Sequence, residues 1–268
     1  MVQRRSMPFS SLIGGGPALL PMDVAFEYLR DCTWRVVPPF LVAIGPYSVA
    51  VFMVIDVAVS QHRAAVAETC GLLTLATIWR WAWLAVVQRR VQTDLSGEAP
   101  KPLRRCLVAI VLVRLFACVA VVWGGLLIIP AFYGFFLSGL VAPMMLERDG
   151  RAWTHTRRTL VWIHKATGRL SKVTWALLVL LLLAAVSIVA LQLLLVKMLL
   201  PSVFGLDTAD LTLTVESRSW MLCLLYFLFV IFDLYWVVLS VVLYYDLQSR
   251  HMGTDLRSRL LGLAEGVP

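Results

Sequence analysis

Six apolar runs, each near the ~20 residues that cross a hydrocarbon layer, lie along the chain at about 36–57, 69–88, 106–128, 130–146, 173–197 and 219–245. Short segments that hold most of the Lys and Arg separate them. This pattern predicts an all-α, polytopic integral membrane helical bundle with about six transmembrane helices. The third and fourth runs almost merge, because 106–146 holds only Arg114 as a charge. The turn between them falls either at Pro130 and Gly134 or at Gly124-Gly125.

Ahead of the first run, Met22–Arg35 mixes Phe26, Tyr28 and Trp34 with Asp23, Glu27 and Arg30, which suits a short helix lying at the membrane interface. Residues 1–21 read as a flexible tail: Arg4-Arg5 hints at an export signal, but Gly14-Gly15-Gly16-Pro17 breaks the apolar core that should follow. The six-span domain then covers 22–262, and 263–268 is a C-terminal tail. Between the fourth and fifth runs, Ala142–Lys172 spaces Trp153, Leu160, Val161, Ile163 and Leu170 among Arg and His. That is a basic amphipathic helix, an elbow expected to lie along the inner leaflet.

Orientation follows from the positive charges. With both termini in the cytoplasm, Arg89, Arg90, Arg104, Arg105, Arg157 and Arg158 fall on the inner side with most other bases, whereas the outer side holds only Arg63, Lys197 and Arg218. Residues 201–218, with Asp207, Asp210 and Glu216, become the main outer loop.

Composition agrees with this reading. The chain has 268 residues, of which 60% are hydrophobic and 15% charged, and a mean hydropathy of +0.83; soluble domains do not look like this. The net charge of +8 would point to nucleic acid if the bases formed a surface stripe. Here they sit between apolar runs, so anionic lipid headgroups at the cytoplasmic face are the expected partners, and no nucleic acid. Five cysteines occur without a C-x-x-C pair, and His62, His155, His164 and His251 form no paired motif, so no metal is expected. No serine stands in a G-x-S-x-G context and no glycine-rich phosphate loop occurs. A non-catalytic protein without cofactors is expected.

Three charges lie inside the predicted spans: Arg80, Arg114 and Asp233. Each costs ~2.5–3.5 kcal/mol near the bilayer centre on insertion scales, so each needs protein, water or a partner. Arg80 and Arg114 fall about 12 Å, and Asp233 about 18 Å, from their predicted cytoplasmic helix ends. An intramembrane cluster of the three is expected, either an Arg–Asp pair that fixes packing with the second Arg snorkelling to headgroups, or a site for an ion or anionic substrate. Trp79, Trp81 and Trp83 flank no pocket motif.

The last run leaves the membrane at Tyr244-Tyr245-Asp246-Leu247. Both tyrosines are expected at headgroup level. Asp246, expected at a helix C-terminus where the dipole disfavours an acid, should pair with an Arg of the inner face, with Arg157 and Arg158 of the elbow as the candidates. Together with Glu147 these residues form a predicted cytoplasmic clasp.

The run Ile129-Pro130-Ala131-Phe132-Tyr133-Gly134, then Ala142-Pro143, Leu146-Glu147, Arg157-Arg158-Thr159, Gly168-Arg169, Tyr244-Tyr245-Asp246-Leu247 and Gly253-Thr254-Asp255-Leu256, resembles a pattern in bacterial six-span proteins. These are similar to the membrane domain ahead of some glycerophosphoryl diester phosphodiesterases. Thr159, Gln248 and Thr254 stand where that pattern has Ser, Arg and Phe. Phosphodiesterase chemistry in those relatives belongs to a separate soluble domain with no counterpart in this sequence. The resemblance implies a non-catalytic accessory or scaffold protein of a bacterial inner membrane that acts through lipids and a membrane protein partner. The alternative is a transporter or lipid-handling protein that uses the Arg/Asp cluster.

Overall fold

A computed structural model of the chain describes residues 20–60, 66–96, 102–123, 128–147, 151–194 and 215–265. It contains α1 (Leu20–Ser60), α2 (Val66–Ser96), α3 (Leu107–Trp123), α4 (Ile128–Glu147), α5 (Ala152–Lys165), α6 (Thr167–Leu194) and α7 (Val215–Glu265), with a 3-10 turn at Leu103–Arg105. Among the described residues there is no strand. Among the described residues four segments are long and apolar enough to cross a membrane: Leu20–Val57, Val66–Ser96, Thr167–Ser187 and Leu222–Arg250. Two shorter apolar helices, Leu107–Val121 and Ala131–Glu147, accompany them. The fold is all-α and of the multi-pass membrane type.

The helices outrun the apolar runs. The interfacial helix expected at 22–35 is the first part of α1, which is non-helical at Cys32 (φ −117°, ψ 16°) rather than broken at Arg35. The 31 residues of α2 continue through Arg89-Arg90 to Ser96. At 51 residues α7 runs about 75 Å, past Asp246 and past the expected domain end at 262. Asp246 is therefore inside a helix and not at its exit. Hydropathy falls at these points, but Gln, Arg and Leu are good helix formers and nothing stops the backbone. Both Pro130 and Gly134 lie within α4, so neither supplies the turn after α3; Gly124-Gly125, the outer loop up to residue 214 and the tail before Leu20 lie outside the described residues.

Packing divides the chain into two units, one formed by Met1–Pro39, Leu84–Val173 and Tyr235–Pro268, the other by Phe40–Trp83 and Thr174–Leu234. In the first, α3 packs on α4 at Gly134, where an added Cβ would sit 2.8 Å from the Ala117 carbonyl oxygen and 2.9 Å from Val121 Cγ2. Gly134→Ala is accordingly expected to force the two helices apart and cost about 1–3 kcal/mol, seen as a lower unfolding temperature in mild detergent. The core of this unit is filled by Tyr28, Ile110, Phe136, Met144, Ile163 and Tyr244. Large apolar side chains stand exposed in the second unit, among them Leu41, Leu75, Leu182, Phe227 and Ile231, and on α3 of the first, at Val108, Leu112 and Phe116. Water would not tolerate so broad an apolar surface, whereas hydrocarbon solvates it.

Candidate functional site

In the second unit Arg80 of α2 meets Asp233 of α7. The guanidinium donates from Nη2 to Oδ1 at 2.6 Å and from Nε to Oδ2 at 3.2 Å. It also lies 4.8 Å from the Tyr47 ring centroid and 5.4 Å from that of Phe229. Both partners are almost fully buried, with side-chain exposures of 11% and 8%. Two parallel bonds and two aromatic faces fit a planar guanidinium and not an ammonium. Each carboxylate oxygen accepts one donor from this one arginine, so the pairing is two-pronged. Beside it the Tyr226 hydroxyl lies 2.9 Å from Ser48 Oγ, with Phe52 edge-on at 5.4 Å.

Arg114 does not join that pair. It lies on α3 in the first unit, where Nη2 donates to Gln88 Oε1 at 2.5 Å and Nε to the Ser138 carbonyl at 3.2 Å. It is buried and does not snorkel. The expected three-residue cluster thus reduces to Arg80–Asp233, and Arg114 belongs to a network of neutral acceptors. The physical reason lies in Gln88: its amide oxygen takes the guanidinium while its amide nitrogen donates to Ser240 Oγ at 2.8 Å and to the Gly139 carbonyl at 3.1 Å. All the amide's donors and its acceptor are engaged in one buried place.

The Gly139 carbonyl is free for that bond because Pro143, four residues on, has no N–H. The same rule explains two other contacts of α2. Pro46 releases the Val42 carbonyl, and Trp79 Nε1 donates to it at 2.9 Å. Pro39 releases the Arg35 carbonyl, and Arg90 Nη1 reaches it at 3.4 Å. In a bilayer an unmet carbonyl costs several kcal/mol, so neighbouring side chains must take over where proline interrupts a helix. Gln92 adds a bond of 2.9 Å to the Pro143 carbonyl itself. Trp79→Phe should destabilise the protein by about 1–3 kcal/mol in detergent unfolding. Pro46→Ala, which restores a backbone donor to Val42, should recover most of that loss.

Asp246 pairs with two arginines. Arg169 Nη2 donates to Asp246 Oδ1 at 3.2 Å, its Nε lies 3.1 Å from Oδ2, and Arg250, four residues along α7, donates from Nε to Oδ1 at 3.2 Å. Neither Arg157 nor Arg158 is its partner. On α5 the buried face is His155, Thr156, Thr159, Trp162 and Ile163, which leaves Arg157 and Arg158 exposed together with Trp153 and Val161. The sequence pattern assigns Trp153 and Val161 to the apolar face; Thr159, bonded to the His155 carbonyl at 2.9 Å and near Met144 Sδ at 3.2 Å, takes that place instead. Tyr244 is wholly buried and stacks on Trp162 at 5.9 Å. Tyr245 is half-buried, edge-on to Tyr244 at 5.3 Å. Glu147 accepts a bond of 2.7 Å from Gln248 Nε2. The side chains of Gly253-Thr254-Asp255-Leu256 lie outside the described residues.

Sequence reading passes over Gln88, Gln92 and Ser240 as bonding groups, misses the pairing role of Arg169, and passes over Asp94, which takes bonds from Tyr28 at 3.0 Å and Arg35 at 3.2 Å. The proline rule could have named the acceptors Val42, Gly139 and Arg35, though not their donors. Among the described residues no group of three or more His, Cys, Asp or Glu could hold a metal ion. Comparison with known protein families, with curated proteins and with solved structures finds no match to this chain.

Proposed function

We propose that this chain is a non-catalytic, six-span protein of a bacterial inner membrane, with both termini in the cytoplasm, that acts as an accessory or scaffold through lipid and protein contacts. The observation that carries this reading is how the buried charges are used. Arg80 and Asp233 hold each other, Arg114 holds an amide and a carbonyl, and Asp246 joins two arginines. Groups paired in this way tie helices or helix turns together, a use that charges inside a membrane commonly have. Six crossings follow if α3 and α4, 17 and 20 residues long, cross as a closely packed pair beside the four longer helices, the shorter of them by local thinning of the bilayer.

The exposed face of α5 gives the contact surface its chemistry. Arg157 and Arg158 are exposed, and α5 contains no Asp or Glu to neutralise them. On the inner leaflet each would gain about 1 kcal/mol from anionic lipid. Purification in native lipid discs, with identification of bound proteins and lipids, tests the proposal. A reproducible protein partner and enrichment of anionic lipid are expected; a protein recovered repeatedly alone, with no lipid preference, would count against it.

A further inference from the structure

On the second unit α1 and α2 leave an apolar groove of about 390 Å³ between them. Pro46, Val49, Ala50 and Met53 line it from α1, and Leu72, Leu75, Ala76 and Trp79 from α2. Buried alanines form its floor, whereas Val49 and Leu75 on its rims are 61% and 67% exposed. Trp79 is held at one end by its bond to Val42. No charged residue lines the groove. It extends about 10 Å along α1, from Pro46 to Met53.

Both lining stripes continue in register toward the same end, where α1 finishes at Ser60 and α2 starts at Val66. One turn beyond Met53 is Asp56, and one turn before Leu72 is Glu68; both are exposed. Neither Pro46–Ser60 nor Val66–Trp79 contains a Lys or Arg. With α1 and α2 crossing the bilayer the groove would open to hydrocarbon, and its two stripes lead toward Asp56 and Glu68, one turn beyond its lining on each helix. We propose that it binds a phospholipid of the phosphatidylethanolamine class, one acyl chain in the groove and the headgroup ammonium between Asp56 and Glu68. The volume suits a run of methylenes, whereas a partner helix is 10–12 Å across. The paired carboxylates favour a headgroup with an amine donor over an anionic one, and a compact ammonium with free N–H bonds over the shielded trimethylammonium of phosphatidylcholine. The proposal rests on α1 and α2 crossing the bilayer.

The full chain would be reconstituted in vesicles of equal phosphatidylethanolamine, phosphatidylcholine and phosphatidylglycerol, checked for integration by resistance to alkaline extraction, and examined by native mass spectrometry for retained lipid. Retention of phosphatidylethanolamine about three- to tenfold above the other two is expected, the size two exposed ion pairs can supply. Asp56→Asn with Glu68→Gln should abolish the preference while the acyl chain still binds. Ala50→Phe should remove the bound lipid altogether. Equal retention of the three lipids, or a preference untouched by the double substitution, would overturn the headgroup assignment. Retention unchanged by Ala50→Phe would overturn the groove, as would a co-purifying polypeptide that Ala50→Phe displaces in place of lipid. Failure of the chain to integrate would instead remove the spanning reading on which the site depends.

Discussion

Asp233→Leu is expected to be the most damaging single change in the second unit, lowering stability by about 3–5 kcal/mol because it leaves the Arg80 guanidinium buried without its counter-charge. The aromatic faces of Tyr47 and Phe229 remain, but each is worth about 0.5–2 kcal/mol to a cation and cannot replace a two-point carboxylate. Arg80→Met should be similarly harmful, since Asp233 would then be a lone anion at that depth. The informative variant carries both changes. Replacing a buried ion pair by apolar residues of similar volume is often neutral or better, so Arg80→Met with Asp233→Leu should unfold within about 1 kcal/mol of the parent protein. Thermal unfolding of the four proteins in one detergent closes the cycle. Additive losses would mean that the two side chains do not act as a pair.

The second large effect is expected at Gln88. Gln88→Leu removes three bonds at once, to Ser240, to Gly139 and from Arg114. Two of the groups left behind are costly: a carbonyl that Pro143 has already deprived of its helical donor, and a buried guanidinium. At about 1–3 kcal/mol for each group that loses a partner, and with less than full additivity, a loss of about 3–4 kcal/mol follows. Gln92→Leu is the built-in comparison. It lies one turn along the same helix and donates a single bond to Pro143, so about 1 kcal/mol is expected. Pro143→Ala in the Gln88→Leu background should return part of the loss by giving Gly139 a backbone donor. Unfolding in detergent should therefore rank Gln88→Leu as the least stable, Gln88→Leu with Pro143→Ala next, and Gln92→Leu nearest the parent. Equal effects at 88 and 92 would contradict the network.

The helices are legible in the sequence because hydrocarbon-spanning runs need no pattern beyond length and apolarity. Their ends are not. Hydropathy drops at Arg89-Arg90 and at Asp246, yet α2 and α7 continue to Ser96 and Glu265, since charged residues are compatible with helix and only the solvent changes. That error of placement carries into the sites. With α7 ended at Asp246, a cap-like partner from the elbow is required; with α7 continuing, Arg250 one turn on and Arg169 of α6 serve instead. The Arg80–Asp233 pair is legible because opposite charges in an apolar setting have few other options. Arg114 is not, because its main partner is the uncharged Gln88, at the last position of a predicted span, and neutral amides leave no trace in a count of charges. The amphipathic face of α5 is legible as a helix but differs in detail: two threonines face inward on its buried side, and Trp153 is exposed.

The pairing of Asp246 and the exposure of Arg157 and Arg158 separate two roles that a basic inner face could have merged. Arg169 and Arg250 are engaged in holding α6 and α7, so their replacement should act on stability. Arg157 and Arg158 stand on the exposed face of α5, and their replacement should leave the fold intact.

If the buried charges build the scaffold and the exposed face of α5 meets the partners, the two can be separated by substitution. The most direct measurement compares two variants in native lipid discs: Arg80→Met with Asp233→Leu, and Arg157→Gln with Arg158→Gln. Their bound proteins and lipids are quantified beside those of the parent protein. The charge-free pair is predicted to keep the parent's partners, and the α5 variant to lose them while still folded. Loss of partners or of bound lipid from the well-folded Arg80→Met, Asp233→Leu protein, with the α5 variant unchanged, would contradict the scaffold reading and make the buried pair a working site.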